Sequence, residues 1–539
     1  MPSQRRTRLT VVTPVGCLVV LMVAACPRHA AAQEAEPTPK PPAFWTDPET
    51  GQVFTKPGPG RVPLTEKEEN ELKLEQQEGQ ILKLEEQINL LSSGKGIQYG
   101  PVNVKLGGFI EMAGIFRTKN EVADVGSDFN QGIPFESSPL AHEAETRFSA
   151  RQSRISLLVT GDVNPQTHLG AYYEMDFLAS GTTSNSRESF SYVPRIRQVY
   201  ATLDSDNTFG AADWGFHLLA GQAWSLMTTN TLGILPRQVQ VPLTIDAQYV
   251  VGFNWLRVPQ FRLVEDFGHG VWVGLSAESP QTVTSPITAP SNVNWTNPGN
   301  SAGLLNSQTT YSNDYIPDFL GKIALDPGWS HWELKSVIRG FSAHTKDHGT
   351  HTTLGWGFGG AGTLPIVPNY VELQLSGLGG QGIGRYGSGQ LPDAAFKKDN
   401  IHLTPVPVIQ GLVGVITHPW TGNDFYFYGG MENAERAGTK AILVNSMTGA
   451  FVGASGYGSP NLDVSGCDTE GGTCQAQTQN LKEITGGFWQ DIYKGDYGRL
   501  AFGFQGAWFW RTGFEGIGGT PRTGVGVFDI ALRYYPFAL

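Results

Sequence analysis

Between Arg499 and Arg511 the chain reads Leu-Ala-Phe-Gly-Phe-Gln-Gly-Ala-Trp-Phe-Trp, and large and small side chains alternate. Successive side chains on a strand point to opposite faces, so Leu500, Phe502, Phe504, Trp508 and Trp510 share one face. The other face carries Ala501, Gly503, Gln505, Ala507 and Phe509. A soluble sandwich keeps charge along its solvent face, whereas this second face is mostly small. Large apolar groups on one side and small or polar groups on the other suit a strand between lipid and a wet lumen.

The pattern recurs. Ile155, Leu157 and Val159 alternate with Arg154, Ser156 and Thr160. After a turn at Asp162–Pro165, Leu169, Ala171, Tyr173, Met175 and Phe177 alternate with Gly170, Tyr172, Glu174 and Asp176. Phe319–Asp326 and Trp332–Arg339 read as a hairpin over Asp326-Pro327-Gly328-Trp329. There Phe319, Ile323, Leu325, Trp332, Leu334 and Ile338 point one way, and Lys322, Glu333, Lys335 and Arg339 the other. Val271, Val273, Leu275 and Ala277 give a further strand, and in Thr523–Tyr534 the apolar Phe528, Ile530, Leu532 and Tyr534 oppose Asp529 and Arg533.

Tight turns such as Lys494-Gly495-Asp496 alternate with long polar connections at Pro280–Tyr311, Ser376–Asn400 and Asn445–Asn480. Short turns on one side and long loops on the other describe a transmembrane barrel. No apolar run beyond the N-terminal leader reaches the roughly 20 residues of a spanning helix. A membrane reading therefore requires a closed sheet, because lipid leaves open sheet edges unsatisfied. The fold class is all-β: a closed antiparallel transmembrane β-barrel over 102–539. Its roughly 435 residues suit about 16 strands, with 18 as the alternative. A large β-sandwich or a propeller is the soluble alternative, and no blade-length repeat supports the latter.

The N-terminus is an address. Arg5, Arg6 and Arg8 precede the apolar run Leu9–Ala25, and Ala30-Ala31-Ala32 offers a cleavage site, so 1–32 reads as a signal peptide. Val23-Ala24-Ala25-Cys26 also resembles a lipobox that would leave a lipidated Cys26. Residues 33–65 are rich in Pro and Gly and read as an extended linker. In the helix of 66–92, Leu74, Ile81 and Ile88 fall seven apart, with Gln77, Leu84 and Leu91 in the second seam position. The narrow seam favours a short coiled coil over a single amphipathic helix, and Leu74, Ile81, Leu84, Ile88 and Leu91 form its oligomer seam.

Composition sharpens this. The 539 residues include 67 Gly, 11% aromatic and only 16% charged side chains, with a net charge of -11 and a mean hydropathy of -0.20. Nothing suggests nucleic-acid binding. Two of the 4 cysteines fall in the leader, and Cys467 and Cys474 in a long loop are close enough to bridge. Two Cys without a nearby His are too few ligands for a metal site. Gly355-Trp-Gly357-Phe-Gly359-Gly360 and Gly377-Leu-Gly379-Gly-Gln-Gly382 match a dinucleotide pattern, but no helix follows either. There is no Gly-x-Ser-x-Gly elbow and no His-Glu-x-x-His, so no enzyme, cofactor or metal is expected.

Several stretches resemble the DcaP-like trimeric porins of Gram-negative outer membranes. They are Arg195-Ile-Arg197-Gln198-Val-Tyr200, Leu218-Leu-Ala-Gly221-Gln222-Ala-Trp224-Ser225, Pro317-Asp318-Phe-Leu, the Pro327-Gly328-Trp329 turn and Arg151-Gln152-Ser153-Arg154. The resemblance spans most of the chain from Glu66. It implies a 16-stranded barrel, a homotrimer with a periplasmic coiled coil, and diffusion of small, often anionic solutes across a membrane of lipid and lipopolysaccharide. The end, Tyr534-Tyr535-Pro536-Phe537-Ala538-Leu539, departs from barrel-assembly signals that favour a terminal Phe.

Parity places Arg154, Lys322, Lys335, Arg339, Arg499, Arg511 and Arg533 on inner faces with Glu174, Asp176, Glu333 and Asp529. The basic groups either lower the barrier to anions or pair with the acids as wall salt bridges. Their small excess, with Asp326 counted at its turn, favours a weak anion preference. Arg195 and Arg197 share the parity of Val199, so they lie inside only if a bulge intervenes. The irregular segment from Trp224 to Ala247 either narrows the lumen, making Arg237 a constriction residue, or forms an external or trimer-contact loop. The alternatives to a pore are a surface scaffold or adhesin and a barrel hydrolase.

Overall fold

The computed structural model describes residues 96–537 apart from 180–189, 191, 207–213, 286–292, 295–313, 346–347, 397–401 and 440–455, with scattered positions between 45 and 63. The signal segment 1–32 and the coiled-coil helix, with Leu74, Ile81, Leu84, Ile88 and Leu91, lie outside the described residues. The chain divides into two units, Met1–Lys83 and Leu84–Leu539. In the first, the stretch read as a linker contains a small antiparallel sheet of Trp45–Thr46, Val53–Phe54 and Val62–Pro63.

The second unit is a closed antiparallel barrel of 16 strands. In chain order they are β1 (Val102–Arg117), β2 (Arg154–Asn164), β3 (Thr167–Asp176), β4 (Arg195–Asp206), β5 (Gly215–Trp224) and β6 (Arg257–Asp266). Then come β7 (Val271–Glu278), β8 (Asp318–Leu325), β9 (His331–Thr345), β10 (Gly349–Val367) and β11 (Val371–Gln381). The wall ends with β12 (Pro407–Thr417), β13 (Asn423–Ala434), β14 (Thr478–Gly495), β15 (Gly498–Gly513) and β16 (Arg522–Tyr535). The barrel closes where β16 pairs with β1, from Val527↔Arg117 to Tyr534↔Ile110. A short strand, Glu145–Ser149, continues β2 along the upper part of β1.

Alternation sets which side of the wall each residue faces. In β15, Phe504, Trp508 and Trp510 are exposed while Ala501, Gln505, Ala507 and Phe509 are buried. In the β8–β9 hairpin, Phe319 pairs with Ile338 and Ile323 with Leu334, and all four are exposed on the outside. A soluble protein would not present so many large apolar side chains in one belt. In a closed barrel this belt is the surface that lipid solvates.

One boundary differs from the sequence reading. The loop expected from Ser376 begins only after Gln381, and Ser376–Gln381 is the second half of β11. The run Ser-Gly-Leu-Gly-Gly has too few side chains to show alternation, although its one large residue, Leu378, points inward and is buried. The dinucleotide-like Gly355–Gly360 stretch is the middle of β10.

If the belt faces lipid, a charge placed in it is costly. Phe427 is 55% exposed and sits midway along β13. Phe427→Arg should destabilise the barrel by about 2–4 kcal/mol in urea unfolding from lipid vesicles. A change within ±0.5 kcal/mol, as at an ordinary water-exposed site, would contradict the lipid-facing assignment.

Candidate permeation pathway

Residues 225–256, between β5 and β6, fold into the barrel. Leu226, Met227, Ile234, Ile245, Val250, Val251 and Phe253 are all buried there. So many apolar side chains in one connection need cover, which the barrel interior supplies. The segment is irregular, so its buried backbone groups also need partners. Wall backbone groups are already paired with neighbouring strands, and inner-face side chains take the role. Leu226 N donates to Glu278 at 2.7 Å, Asn230 N to Glu333 at 2.8 Å, Val251 N to Glu483 at 2.8 Å and Gly252 N to Glu432 at 2.9 Å. In the other direction, Lys322 Nζ donates to the Thr228 carbonyl at 2.7 Å and Lys335 Nζ to that of Met227 at 2.8 Å.

This changes the reading of the inner-face charges. Lys322, Lys335 and Arg339 point inward, but at 2%, 1% and 0% exposure they are covered, the two lysines by this segment and Arg339 by Gln281, Gly382 and Asp393 of other connections. Lys322 is also bonded to Glu333 at 2.9 Å, and Arg339 to Asp318 at 3.0 Å and Asp393 at 2.7 Å. These groups anchor the infolded chain and present no open basic ring.

Two more segments turn inward: 118–144, which the sequence reading did not single out, and 382–396, which it read as part of a long polar loop over Ser376–Asn400. In 118–144, Phe129 stacks on the inward Phe509 of β15 at 5.0 Å, and Ser127 N donates to Asp246 at 3.1 Å. In 382–396, the Tyr386 carbonyl accepts from Trp255 N, and Ser388 N donates to the Phe253 carbonyl. Phe129, Ile133, Tyr386 and Leu391 are the apolar signal, residues too large for an external polar loop. Burial raises the Glu121 carboxyl to about 8 although the Arg117 guanidinium opposes it, and burial likewise raises Asp246.

The inner faces of β2–β5 and the start of β6 stay partly open. A bulge in β4 decides what they show. Glu174 pairs with Gln198 and Met175 with Ile196, so Arg197 is the extra residue and turns inward with Arg195. Arg195 bonds Asp176 at 2.8 Å, and Arg197 bonds Glu174 at 2.7 Å and Asp176 at 2.8 Å. Arg154 lies 3.5 Å from Glu174, and Arg257 sits over the Trp224 ring at 4.8 Å. The Nε of Arg154 and one terminal nitrogen of Arg257 make no hydrogen bond. The infolded segment meets this cluster at Tyr249, whose Oη accepts from Arg197 at 3.0 Å. Tyr249 holds a φ of 71°, an unfavourable conformation for an aromatic residue. Burial pushes its phenol up, but the Arg197, Arg257 and Arg154 guanidinium groups outweigh it and bring it down to about 8.

Towards the turn end, Leu235–Gln238 and the wall residues Thr160, Tyr172, Tyr200 and His217 enclose a cavity of about 240 Å³. Arg237 is exposed there. Its segment is therefore inside the barrel, and Arg237 lies on the turn side of the arginine cluster.

No protein-family model and no curated protein sequence matches this chain. Solved structures do. The outer membrane channel DcaP of Acinetobacter baumannii aligns with a TM-score of 0.56 at 16% identity, over 82% of this chain and 99% of that one. An anion-selective porin from Comamonas acidovorans aligns at 11% identity and a TM-score of 0.43, over 80% and 99%. The fold is that of a DcaP-like porin.

The remaining charges of this DcaP-like barrel are mostly paired. Arg499 bonds Asp491 at 3.2 Å, and Arg511 donates to the Ile133 carbonyl at 2.7 Å, holding the segment 118–144. Arg533 pairs with Glu111 and lies 4.3 Å over the Trp489 ring, and Asp529 is buried. Cys467 and Cys474 are joined in a disulfide, and the Cys467 carbonyl accepts from Ser137 N.

The segment passes close to the wall at β13. A Cβ on Gly430 would come within 1.8 Å of the Val251 carbonyl, so no side chain fits unless the segment moves. Gly430→Val should lift Val251 and Gly252 off Glu483 and Glu432, push the segment toward the open sector and lower single-channel conductance in planar bilayers. Unchanged conductance in a folded variant would show that this part of the segment does not limit the passage.

Proposed function

We propose that this protein is an outer-membrane porin, a passive diffusion channel for small hydrophilic solutes with a weak preference for anions, organic acids among them. The arginine cluster carries the anion preference. Four guanidinium groups, Arg154, Arg195, Arg197 and Arg257, face two carboxylates, Glu174 and Asp176, in the partly open sector. Arg154, Arg195 and Arg257 are each half-buried there, so their charge reaches a passing carboxylate. The chain as a whole carries -11, so the preference comes from this local excess. Glycine-rich matches and single polar groups give the scaffold and hydrolase readings no comparable site.

The assembly that fits is a homotrimer. In it, 1–32 is removed as a signal peptide, 33–65 tethers, and 66–92 forms a periplasmic coiled coil through Leu74, Ile81, Leu84, Ile88 and Leu91. The barrel of 102–539 sits among outer-membrane lipid and lipopolysaccharide.

Arg257→Glu changes the local count from four cations and two anions to three and three, so the reversal potential in a salt gradient should move to no preference or slight cation preference. Arg237→Glu should move it the same way by less, because Arg237 lies beyond the cluster. High salt should shrink both shifts. No shift with either variant would route the permeating ions elsewhere.

Tyr249 adds a pH dependence. Its phenol, lowered to about 8, is neutral below that pH and anionic above it. Each phenolate cancels one guanidinium, so anion preference should decline as pH rises through about 8. Tyr249→Phe should remove that decline, and a decline that persists in this variant would exclude Tyr249 as its source.

A further inference from the structure

Strands β9–β16 carry an oblique groove of about 1230 Å³ on the membrane-facing surface. Its floor is a row of glycines, Gly360, Gly377 and Gly411, each paired directly with the next across the sheet. The row continues from Leu334 on β9 to Met431, Lys482 and Trp510 on β13–β15. Barrel strands tilt. The row therefore climbs from near the turn end of β9 to near the loop end of β15.

The fold itself does not require two of these glycines, whereas at Gly360 a Cβ would meet the Glu333 carbonyl at 3.2 Å. A Cβ on Gly377 would meet nothing nearer than 3.9 Å, and one on Gly411 nothing nearer than 3.5 Å. Neither has a positive φ. Glycine weakens a strand interior, and the usual reason to keep it is the close approach of a ligand or another backbone. On this face no other part of the described chain makes that approach.

At its upper end the groove has a basic lip. Lys482 and Arg522 both line it, both are exposed, and neither makes an ion pair among the described residues. A lysine on the lipid side of a barrel is tolerated near the interface, where it reaches anionic headgroups. Long loops face the cell exterior in such barrels, so the lip lies at the outer leaflet.

We propose that the groove holds one acyl chain of a phosphorylated glycolipid of the outer leaflet, with its phosphate on Lys482 and Arg522. A chain of methylenes fits the floor without side chains between Leu334 and Met431, and the paired cations give the phosphate charge complementarity. The inference rests on the outer-membrane placement and is independent of ion conduction.

The test uses the full assembly in mild detergent, titrated with lipid A or with phosphatidylethanolamine and read by native mass spectrometry. Wild type should retain one lipid A per protomer and prefer it by about tenfold or more, from two cations at the headgroup. Lys482→Ala with Arg522→Ala changes only exposed side chains and should abolish that preference. Gly377→Leu with Gly411→Leu should lower retention of both lipids. Equal retention of lipid A by wild type and the alanine pair overturns the proposal, as does no retention by wild type. Loss of the trimer in the leucine pair, seen by crosslinking, would overturn it too and assign the groove to a second copy of the chain. A protein that binds lipid A but does not conduct would sink the channel reading alone.

Discussion

Backbone groups inside a closed barrel have few partners. Each strand spends its N–H and C=O groups on its two neighbours, so a chain that folds into the lumen must be satisfied by inner-face side chains. Glu278, Glu333, Glu483 and Glu432 accept from Leu226, Asn230, Val251 and Gly252 for this reason. Hydrogen bonds to charged groups contribute about 1.5–3 kcal/mol each. Orphaning a buried partner costs a similar amount, which makes the set cooperative. The carboxylates meet their own desolvation cost partly through Lys322, which bonds Glu333 and the Thr228 carbonyl together.

A charge used in this way is lost to selectivity. Lys322, Lys335 and Arg339 share an inner face with the residues that would tune a pore, yet infolded connections cover them, 225–256 the lysines and 382–396 the arginine. The charges that can act on a solute are those in the sector that the segment leaves open. Net charge per chain and counts of inward residues are poor guides for that reason. What matters is the subset nearest the open sector, where Arg154, Arg195 and Arg257 are half-buried while Arg197, Glu174 and Asp176 are buried in ion pairs behind them.

The wall was legible in the sequence because a strand's period of two shows directly in Leu500–Trp510 and in the pairing of Phe319 with Ile338. It faded where glycine removed the signal, as in Ser376–Gln381. Direction was legible too, since parity put Lys322 and Glu333 inside. What lay opposite them was not, because alternation carries no information about which connection fills the lumen. The irregular stretch after Trp224 drew attention through its length and its prolines. The segment holding Phe129 did not, and the one holding Tyr386 read as a polar external loop, each being apolar at only a few positions. The oligomer seam from Leu74 to Leu91 stays a sequence-level argument, as it falls outside the described residues.

The bulge at Arg197 links seating and selectivity. Without the extra residue, strict alternation would aim Arg195 and Arg197 at lipid while Gln198 and Tyr200 faced inward. With it, Arg195, Arg197 and Gln198 all turn to the lumen, and Ile196 and Val199 stay exposed outside. Arg197 then does three things at once: it pairs with Glu174, pairs with Asp176, and donates to Tyr249 on the infolded segment. The positive φ of Tyr249 is held at that contact, a conformation that costs of order 1–3 kcal/mol unless its surroundings enforce it. The segment is thus tied to the open wall by the same guanidinium that helps set the charge of the passage. A change that weakens the Arg197–Tyr249 bond alters both the width and the charge of the gap between them, so the two properties are not independently adjustable at this point in the barrel.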